Sequence, residues 1–100
     1  MPHNWLLTFE PDIPDQLRGL PNKDRMAVFV ALARLLEAEN PMTIRGVRQL
    51  VESRFEGQWR QRQGDYRIFF ELHSGDILHQ GFAYKGRFHL VAVRHRSRAY

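Results

Sequence analysis

The 100-residue sequence predicts an α+β fold: an N-terminal strand, a helical hairpin, then a meander of about four antiparallel strands forming one sheet packed on the helices. Three observations predict it. Residues 11–40 carry apolar side chains at helical spacing, and residues 55–94 alternate at strand period between turn signals. Charge divides along the same line. Residues 1–42 hold four Lys/Arg and six Asp/Glu, a net of −2, whereas residues 43–100 hold eleven Lys/Arg and five Asp/Glu, a net of +6. This length suffices for one hydrophobic core and not for two, and no linker or low-complexity tract divides the chain, so residues 1–100 read as one domain.

Each element has its own signal. His3 to Glu10 alternates around Trp5, Leu7 and Phe9 and reads as the first strand. "PDIPDQLRGLP" reads as a short helix, with Asp12 as N-cap, prolines at its start and Gly19 ending it through a left-handed cap. A second helix runs from Asn22 to about Glu39, where Asn40-Pro41 stops it. Its Met26, Phe29, Val30, Ala33 and Leu36 recur at helical spacing and read as the buried stripe. Residues 41–54 form a weakly helical or irregular connector carrying Arg45, Arg48 and Arg54. Strands Phe55–Gln63 and Tyr66–Leu72 flank a turn at Gly64-Asp65. "HSGD" reads as another turn, followed by strands Ile77–Tyr84 and Phe88–Arg94 joined at Lys85-Gly86-Arg87.

Composition narrows the function. Cysteine is absent, which excludes disulfides and thiolate metal sites and fits a reducing cytoplasm. The longest apolar run, Met26 to Ala33, is far short of the ~20 residues of a membrane span. "MPHNWLL" lacks the charged and apolar regions of a signal peptide, so a cytoplasmic protein without membrane partners is expected. Thirteen of the fifteen cations are Arg, whose planar fork suits phosphate better than a Lys point charge. The basic second half therefore points to a polyanion.

The stretch "WRQRQGDYR" sharpens that expectation. If Gly64-Asp65 is a two-residue hairpin loop, Gln63 pairs with Tyr66, Arg62 with Arg67, Gln61 with Ile68, Arg60 with Phe69 and Trp59 with Phe70. Trp59, Tyr66, Ile68 and Phe70 then face the helices, and Arg60, Arg62, Arg67 and Phe69 face away. Like charges opposed across a ladder cost up to about 1 kcal/mol. An arriving phosphate removes that repulsion and gains charge-assisted hydrogen bonds. The C-terminal "VRHRSRAY" adds Arg94, Arg96 and Arg98 at period two and ends in Tyr100, supplying guanidinium groups for phosphate and a ring for a splayed base.

These motifs, with "LRGLPNKDR" and "LLEAENP" before them, resemble the RelE/ParE superfamily of toxins from type II toxin–antitoxin systems, and the RelE kind most of all. The resemblance covers most of the chain in order. It implies a ribosome-dependent endoribonuclease that inhibits translation by cutting mRNA without a metal, through attack of the 2′-OH on the adjacent phosphate, and a cognate antitoxin as partner. It implies that Arg62 and Arg67 hold the scissile phosphate, that Arg94 or Arg96 acts at the leaving oxygen, and that Tyr100 stacks on or orients the base. Arg60, Arg94, Arg98, Arg54, Arg48 and Lys85 would line the RNA path. Some RelE toxins carry Lys where this chain has Arg60 and Arg62. The segment between Arg67 and His95 is also longer than in compact relatives, so "ILHQGFAYKGRF" is expected to add a long hairpin.

Arg is a poor proton acceptor, so Tyr100, Glu56 and His95 all stand as acid–base candidates. Alternation sets His95 on the opposite face from Arg94 and Arg96. The five histidines make no zinc-like spacing, and neither metal nor other cofactor is expected. Two other functions share the features of charge and fold: a ParE-like DNA gyrase inhibitor, and a non-catalytic basic nucleic-acid-binding module. Neither requires a phosphate-cleaving Arg set.

Overall fold

The computed structural model describes residues 4–51 and 57–99. Strand β1 (Leu6–Phe9) is followed by helices α1 (Ile13–Arg18) and α2 (Asn22–Glu37), a 3-10 turn (Pro41–Thr43), and strands β2 (Val47–Gln49), β3 (Gln58–Gln63), β4 (Tyr66–His79) and β5 (Phe82–His95). A second 3-10 turn (Arg96–Arg98) closes the chain. The strands form one sheet in the order β1-β5-β4-β3-β2, with β1 parallel to β5 and the other pairs antiparallel. Both helices lie on one side of it, the α+β arrangement that the sequence pattern predicts.

The details differ where local signals compete. "HSGD" and Lys85-Gly86-Arg87 are not turns but lie inside β4 and β5, which run fourteen residues each to a tip at Gln80-Gly81. There Gln80 and Gly81 have φ of +50° and +82°, two left-handed residues of the kind a tight hairpin needs. A left-handed Gln carries no sequence signal, so the tip is invisible in the pattern. The Gly75-Asp76 pair is absorbed as a register shift between Ser74 and Ile77. The long hairpin expected over "ILHQGFAYKGRF" is therefore present, built on a longer scale. The connector also hides an edge strand, β2, which is too short to show a period.

Helix α2 turns a different face to the sheet from the predicted stripe. Val28, Ala31, Leu32 and Leu35 are buried, while Met26, Phe29 and Val30 are 60%, 44% and 55% exposed. Apolar residues surround so much of this helix that helical spacing fits two stripes, and packing on β4 and β5 selects one. The helix ends at Glu37, where its last carbonyls meet three side-chain donors. Trp5 Nε1 reaches Ala38 O at 3.0 Å, Asn4 Nδ2 donates to Glu37 O, and Lys85 Nζ donates to Glu39 O. In the core, Phe70 and Phe88 stack at 4.5 Å between Ile68 and Leu90 on the sheet and Val28 and Leu35 on α2. Each such side chain contributes about 1.5–3 kcal/mol.

Around α1 the expected caps are not used. The Asp12 carboxylate accepts from Gln16 Nε2 at 2.6 Å rather than capping the helix, and Gln16 Oε1 accepts the Val93 N–H at 2.9 Å, tying α1 to β5. Gly19 has φ of −73°, right-handed rather than left-handed, and its N–H closes on Asp15 O. Gly86 is different, because a Cβ there would lie 2.6 Å from both His73 O and Trp5 Cζ3.

These two glycines give opposite expectations. Gly86→Ala forces backbone or indole to move and is expected to cost about 1–3 kcal/mol. Gly19→Ala, with its nearest atom at 3.5 Å and a helical φ, is expected to be neutral or to stabilise by about 0.4–1 kcal/mol. Urea unfolding of the two variants checks both; a destabilised Gly19→Ala would restore the left-handed cap.

Candidate nucleic-acid interface

The hairpin between β3 and β4 has the register that its two-residue loop requires. Gln63 pairs with Tyr66, Arg62 with Arg67, Gln61 with Ile68, Arg60 with Phe69 and Trp59 with Phe70. Gly64 supplies the left-handed first loop position, with φ of +56°. Ile68, Phe70, Trp59 and Tyr66 join the core with the helices, while Phe69 belongs to a separate cluster on the far face with Ala92 and Ala99. Pairing of β4 with β5 extends the pattern, since Arg67 lies opposite Arg94. Arg62, Arg67 and Arg94 thus form one transverse row across three strands. Strands lie ~4.8 Å apart, so the row spans roughly 10 Å. Beside it runs a second row, in which Arg48 pairs with Arg60 and Arg60 with Phe69.

Local contacts fix the cations nearest the loop. Arg67 Nη1 donates to Gly64 O at 3.0 Å and Tyr66 O at 2.9 Å, so neutral carbonyls fix the guanidinium against its own turn. The closing 3-10 turn docks on the same loop. Arg96 N–H donates to Asp65 O at 2.7 Å, and Arg96 Nε lies 3.5 Å from Asp65 Oδ1. Beyond it, Ala99 is buried on Phe69 and Ala92, so the chain end crosses the outer face between the arginines. Arg98 is exposed on that turn.

The edge of the sheet adds cations that the sequence pattern did not single out as site residues. Arg34 of α2 and Arg45 before β2 join Arg48, Arg60 and Arg62 around a cleft of about 520 Å³, with no carboxylate among the described residues that line it. Gln61 forms its wall, with Nε2 donating to Arg62 O at 2.7 Å and Arg45 O at 3.3 Å. Only tertiary folding brings Arg34 here. For Arg45, position in a cationic connector was the available signal. Toward the other end of the outer face the chemistry changes. His89 bridges Thr8 Oγ1 at 2.7 Å and Glu10 Oε2 at 2.9 Å, and His73 Nε2 meets Glu71 Oε1 at 3.0 Å.

Several expected site residues stand elsewhere. Lys85 serves the C-terminus of α2 and sits 5.3 Å from the centre of the Trp5 ring, so it is a structural cation rather than part of the Arg rows. His95 faces the helix side, with its ring edge-on to Tyr66 at 5.5 Å. Its Nδ1 accepts the Ser97 N–H at 3.2 Å, leaving the proton of the neutral ring on Nε2. That geometry removes His95 from the Arg face. Burial and the carboxylate of Asp24, to which it is hydrogen-bonded, push the Tyr66 phenol above its ordinary range. Arg54, Glu56 and Tyr100 lie outside the described residues.

No protein-family model and no curated protein matches the sequence. Solved structures do match. A chain of the toxin–antitoxin complex RelBE2 from Mycobacterium tuberculosis superposes with a TM-score of 0.55 at 16% identity, over 96% of this chain and 100% of that one. The RelB–RelE antitoxin–toxin complex from Methanococcus jannaschii gives 0.58 at 15% identity, over 89% of each chain. The archaeal RelE–RelB complex from Pyrococcus horikoshii gives 0.64 at 16% identity, over 96% of this chain and 99% of that one. The fold is that of RelE toxins. Among the described residues, no helix is long and apolar enough to cross a membrane.

The RelE-like sheet carries the Arg row at a cost to its own stability, and that cost is measurable. Replacing Arg62 by Gln removes one repulsive partner from the row, so in low salt the variant should be more stable than the parent by about 0.2–1 kcal/mol. The gain should vanish in 1 M salt, where the screening length falls to about 3 Å. Thermal unfolding at the two salt concentrations tests it; a variant destabilised at both would mean that Arg62 is compensated locally.

Proposed function

We propose that this chain is the toxin of a toxin–antitoxin pair and that it cuts mRNA on the ribosome as a metal-independent endoribonuclease. The observation that carries the reading is the row Arg62–Arg67–Arg94 on the sheet face opposite the helices. Its RelE-like fold supports the toxin role, and the complexes of similar chains with antitoxins support a cognate antitoxin partner. In the proposed reaction, the 2′-oxygen bonds to the adjacent phosphorus as the bond to the 5′-oxygen breaks, leaving a cyclic phosphate and a 5′-hydroxyl. One proton leaves the 2′-hydroxyl and another reaches the departing oxygen. Negative charge builds on the phosphoryl oxygens between those events.

Arg62 and Arg67 are proposed to stabilise that charge, with Arg67 already oriented by the two carbonyls it bonds. Arg94 completes the row, and Arg96 stands next to it on the Asp65 loop. Arg34, Arg45, Arg48 and Arg60 are proposed to guide neighbouring phosphates along the β2–β3 edge into the row. Proton transfer falls to groups other than His95, which leaves Glu56 and Tyr100 as the candidates from the sequence.

Mapping mRNA ends after brief induction tests the reading directly. New 5′ ends inside translated frames are expected; intact mRNA with damaged DNA would indicate gyrase as the target instead. Arg67→Ala should remove toxicity while circular dichroism stays unchanged, with cleavage falling by about 10²–10³-fold, the usual loss for one preorganised donor to a developing anion. Arg62→Lys keeps the charge but loses the fork, so its rate should also fall clearly. An unchanged Lys variant would reduce Arg62 to general electrostatics.

A further inference from the structure

The last acid of the sequence is Asp76: residues 77–100 hold five Lys/Arg and no Asp or Glu. Within that run, Arg94-His95-Arg96-Ser97-Arg98 sets one hydroxyl among three arginines. Ser97 is exposed, and so are all three. The other Ser and Thr hydroxyls among the described residues are placed differently. Thr8 is bonded to His89, Thr43 donates to Asn40 O, and Ser74 stands two residues before Asp76.

Few bonds hold the turn that carries Ser97. Arg96 N–H donates to Asp65 O at 2.7 Å, Ser97 N–H donates to His95 Nδ1 at 3.2 Å, and Ser97 Oγ lies 2.9 Å from the same nitrogen. With the ring proton on Nε2, the hydroxyl donates to Nδ1 and its oxygen keeps both lone pairs. Opening so few contacts costs little, and it presents an extended basic segment. Ser97 also shares a pocket of about 620 Å³ with Arg94 and Arg98, against α1. The α1 wall carries Asp12 and Asp15, which Gln16 and Arg18 engage. Among the described residues no carboxylate pairs with Arg94 or Arg98.

We propose that Ser97 is phosphorylated by a protein kinase that selects basic segments, and that the phosphoserine shuts down the Arg row through Arg94. In the transfer, Ser97 Oγ bonds to the γ-phosphorus of a nucleoside triphosphate as the bond to the β,γ-bridging oxygen breaks. A nucleoside diphosphate leaves, and the hydroxyl proton passes to the kinase's own base. The new group brings a charge of about −1.5 to −2 and three acceptor oxygens. Arg94 and Arg98 line the same pocket, and their guanidinium forks take the phosphate in charge-assisted hydrogen bonds. Arg94 is then engaged from within the chain, and an arriving RNA phosphate meets one cation fewer and a new anion. This second half rests on the reading of the row as the cleavage site.

Mass spectrometry of the full chain purified from its own host, in growth and in starvation, tests the modification. Phosphate on Ser97 is expected in at least one state, and its absence from both overturns the proposal. The effect is tested on the chain carrying Ser97→phosphoserine, installed during translation. The second pKa of its phosphate, read by phosphorus NMR, should fall below the ordinary value of about 6, because paired arginines favour the dianion. Arg98→Gln should raise it again. A value at or above 6 means that the arginines do not hold the phosphate, and the switch falls. Cleavage of mRNA should drop about 100-fold on Ser97→phosphoserine, as loss of one donor to the developing anion does. Ser97→Ala should stay within about twofold of the parent. A phosphorylated chain that cuts as fast as the parent overturns the switch. If the parent itself cuts no mRNA, the proposed reaction falls, while the mass spectrum and the phosphate pKa still decide the site.

Discussion

A two-residue loop admits one pairing of the strands it joins, and the register of β3 on β4 is the constraint on which the candidate site depends. Gly64 takes the left-handed position, Gln63 faces Tyr66, and every later pair follows. A slip of one residue would carry Trp59 and Gln61 to the outer face and turn Arg60 and Arg62 into the core. Arg60 is buried in either register, but Arg62, exposed on the outer face, would lose its hydration at a cost of several kcal/mol. Core packing and loop geometry therefore enforce the same register, and the Arg row is its consequence. The loop then does a second task, because its carbonyls hold Arg67 and Arg96.

This arrangement leaves the sheet with two unsatisfied sides of different kinds. On the outer face the deficit is electrostatic: three Arg opposed across adjacent strands, with further Arg around the cleft at the edge. On the helix side it is hydrophobic: a second apolar stripe on α2 and a groove lined, among the described residues, mostly by apolar side chains. Each deficit costs the isolated chain only a fraction of its stability, since an opposed like-charge pair is worth up to about 1 kcal/mol. An arriving polyanion would relieve the first deficit, and burial of apolar surface the second. The division of charge between the two halves of the sequence is the trace of this in the primary structure.

The sequence shows some of these features and conceals others for identifiable reasons. The hairpin register was legible because Gly64-Asp65 sits between two strongly alternating stretches, and local geometry decides the rest. The orientation of α2 was not legible, since Met26, Phe29, Val30 and Ala33 keep helical spacing as well as Val28, Ala31, Leu32 and Leu35 do. Periodicity finds a stripe; it does not count stripes. Gln80 at φ of +50° and the irregularity at Gly75-Asp76 reverse the usual turn rules, so turns were expected where β4 and β5 continue. At the site, Arg62, Arg67 and Arg94 come from strands whose alternation is readable, whereas Arg34 reaches its cleft from a helix by tertiary packing alone. The placement of Lys85 away from the Arg rows was not legible, because a cation in a basic half resembles any other until its partners, Glu39 O and the Trp5 ring, are in view.

One residue touches both sides of the sheet, and magnitudes decide how much it transmits. The Tyr66 phenol is hydrogen-bonded to Asp24 of α2, and the Tyr66 carbonyl accepts from Arg67 Nη1. A partner that shifted α2 would pull on the first bond and so disturb the second. Each of these bonds involves a charged group and contributes about 1.5–3 kcal/mol net. Complete loss of one would therefore change an affinity by about a hundredfold at most. Coupling through Tyr66 is bounded by that figure, and spatial intermediacy is not itself coupling. Under the proposed function, silencing a site on the Arg face would therefore require that face to be covered, rather than α2 alone to be shifted.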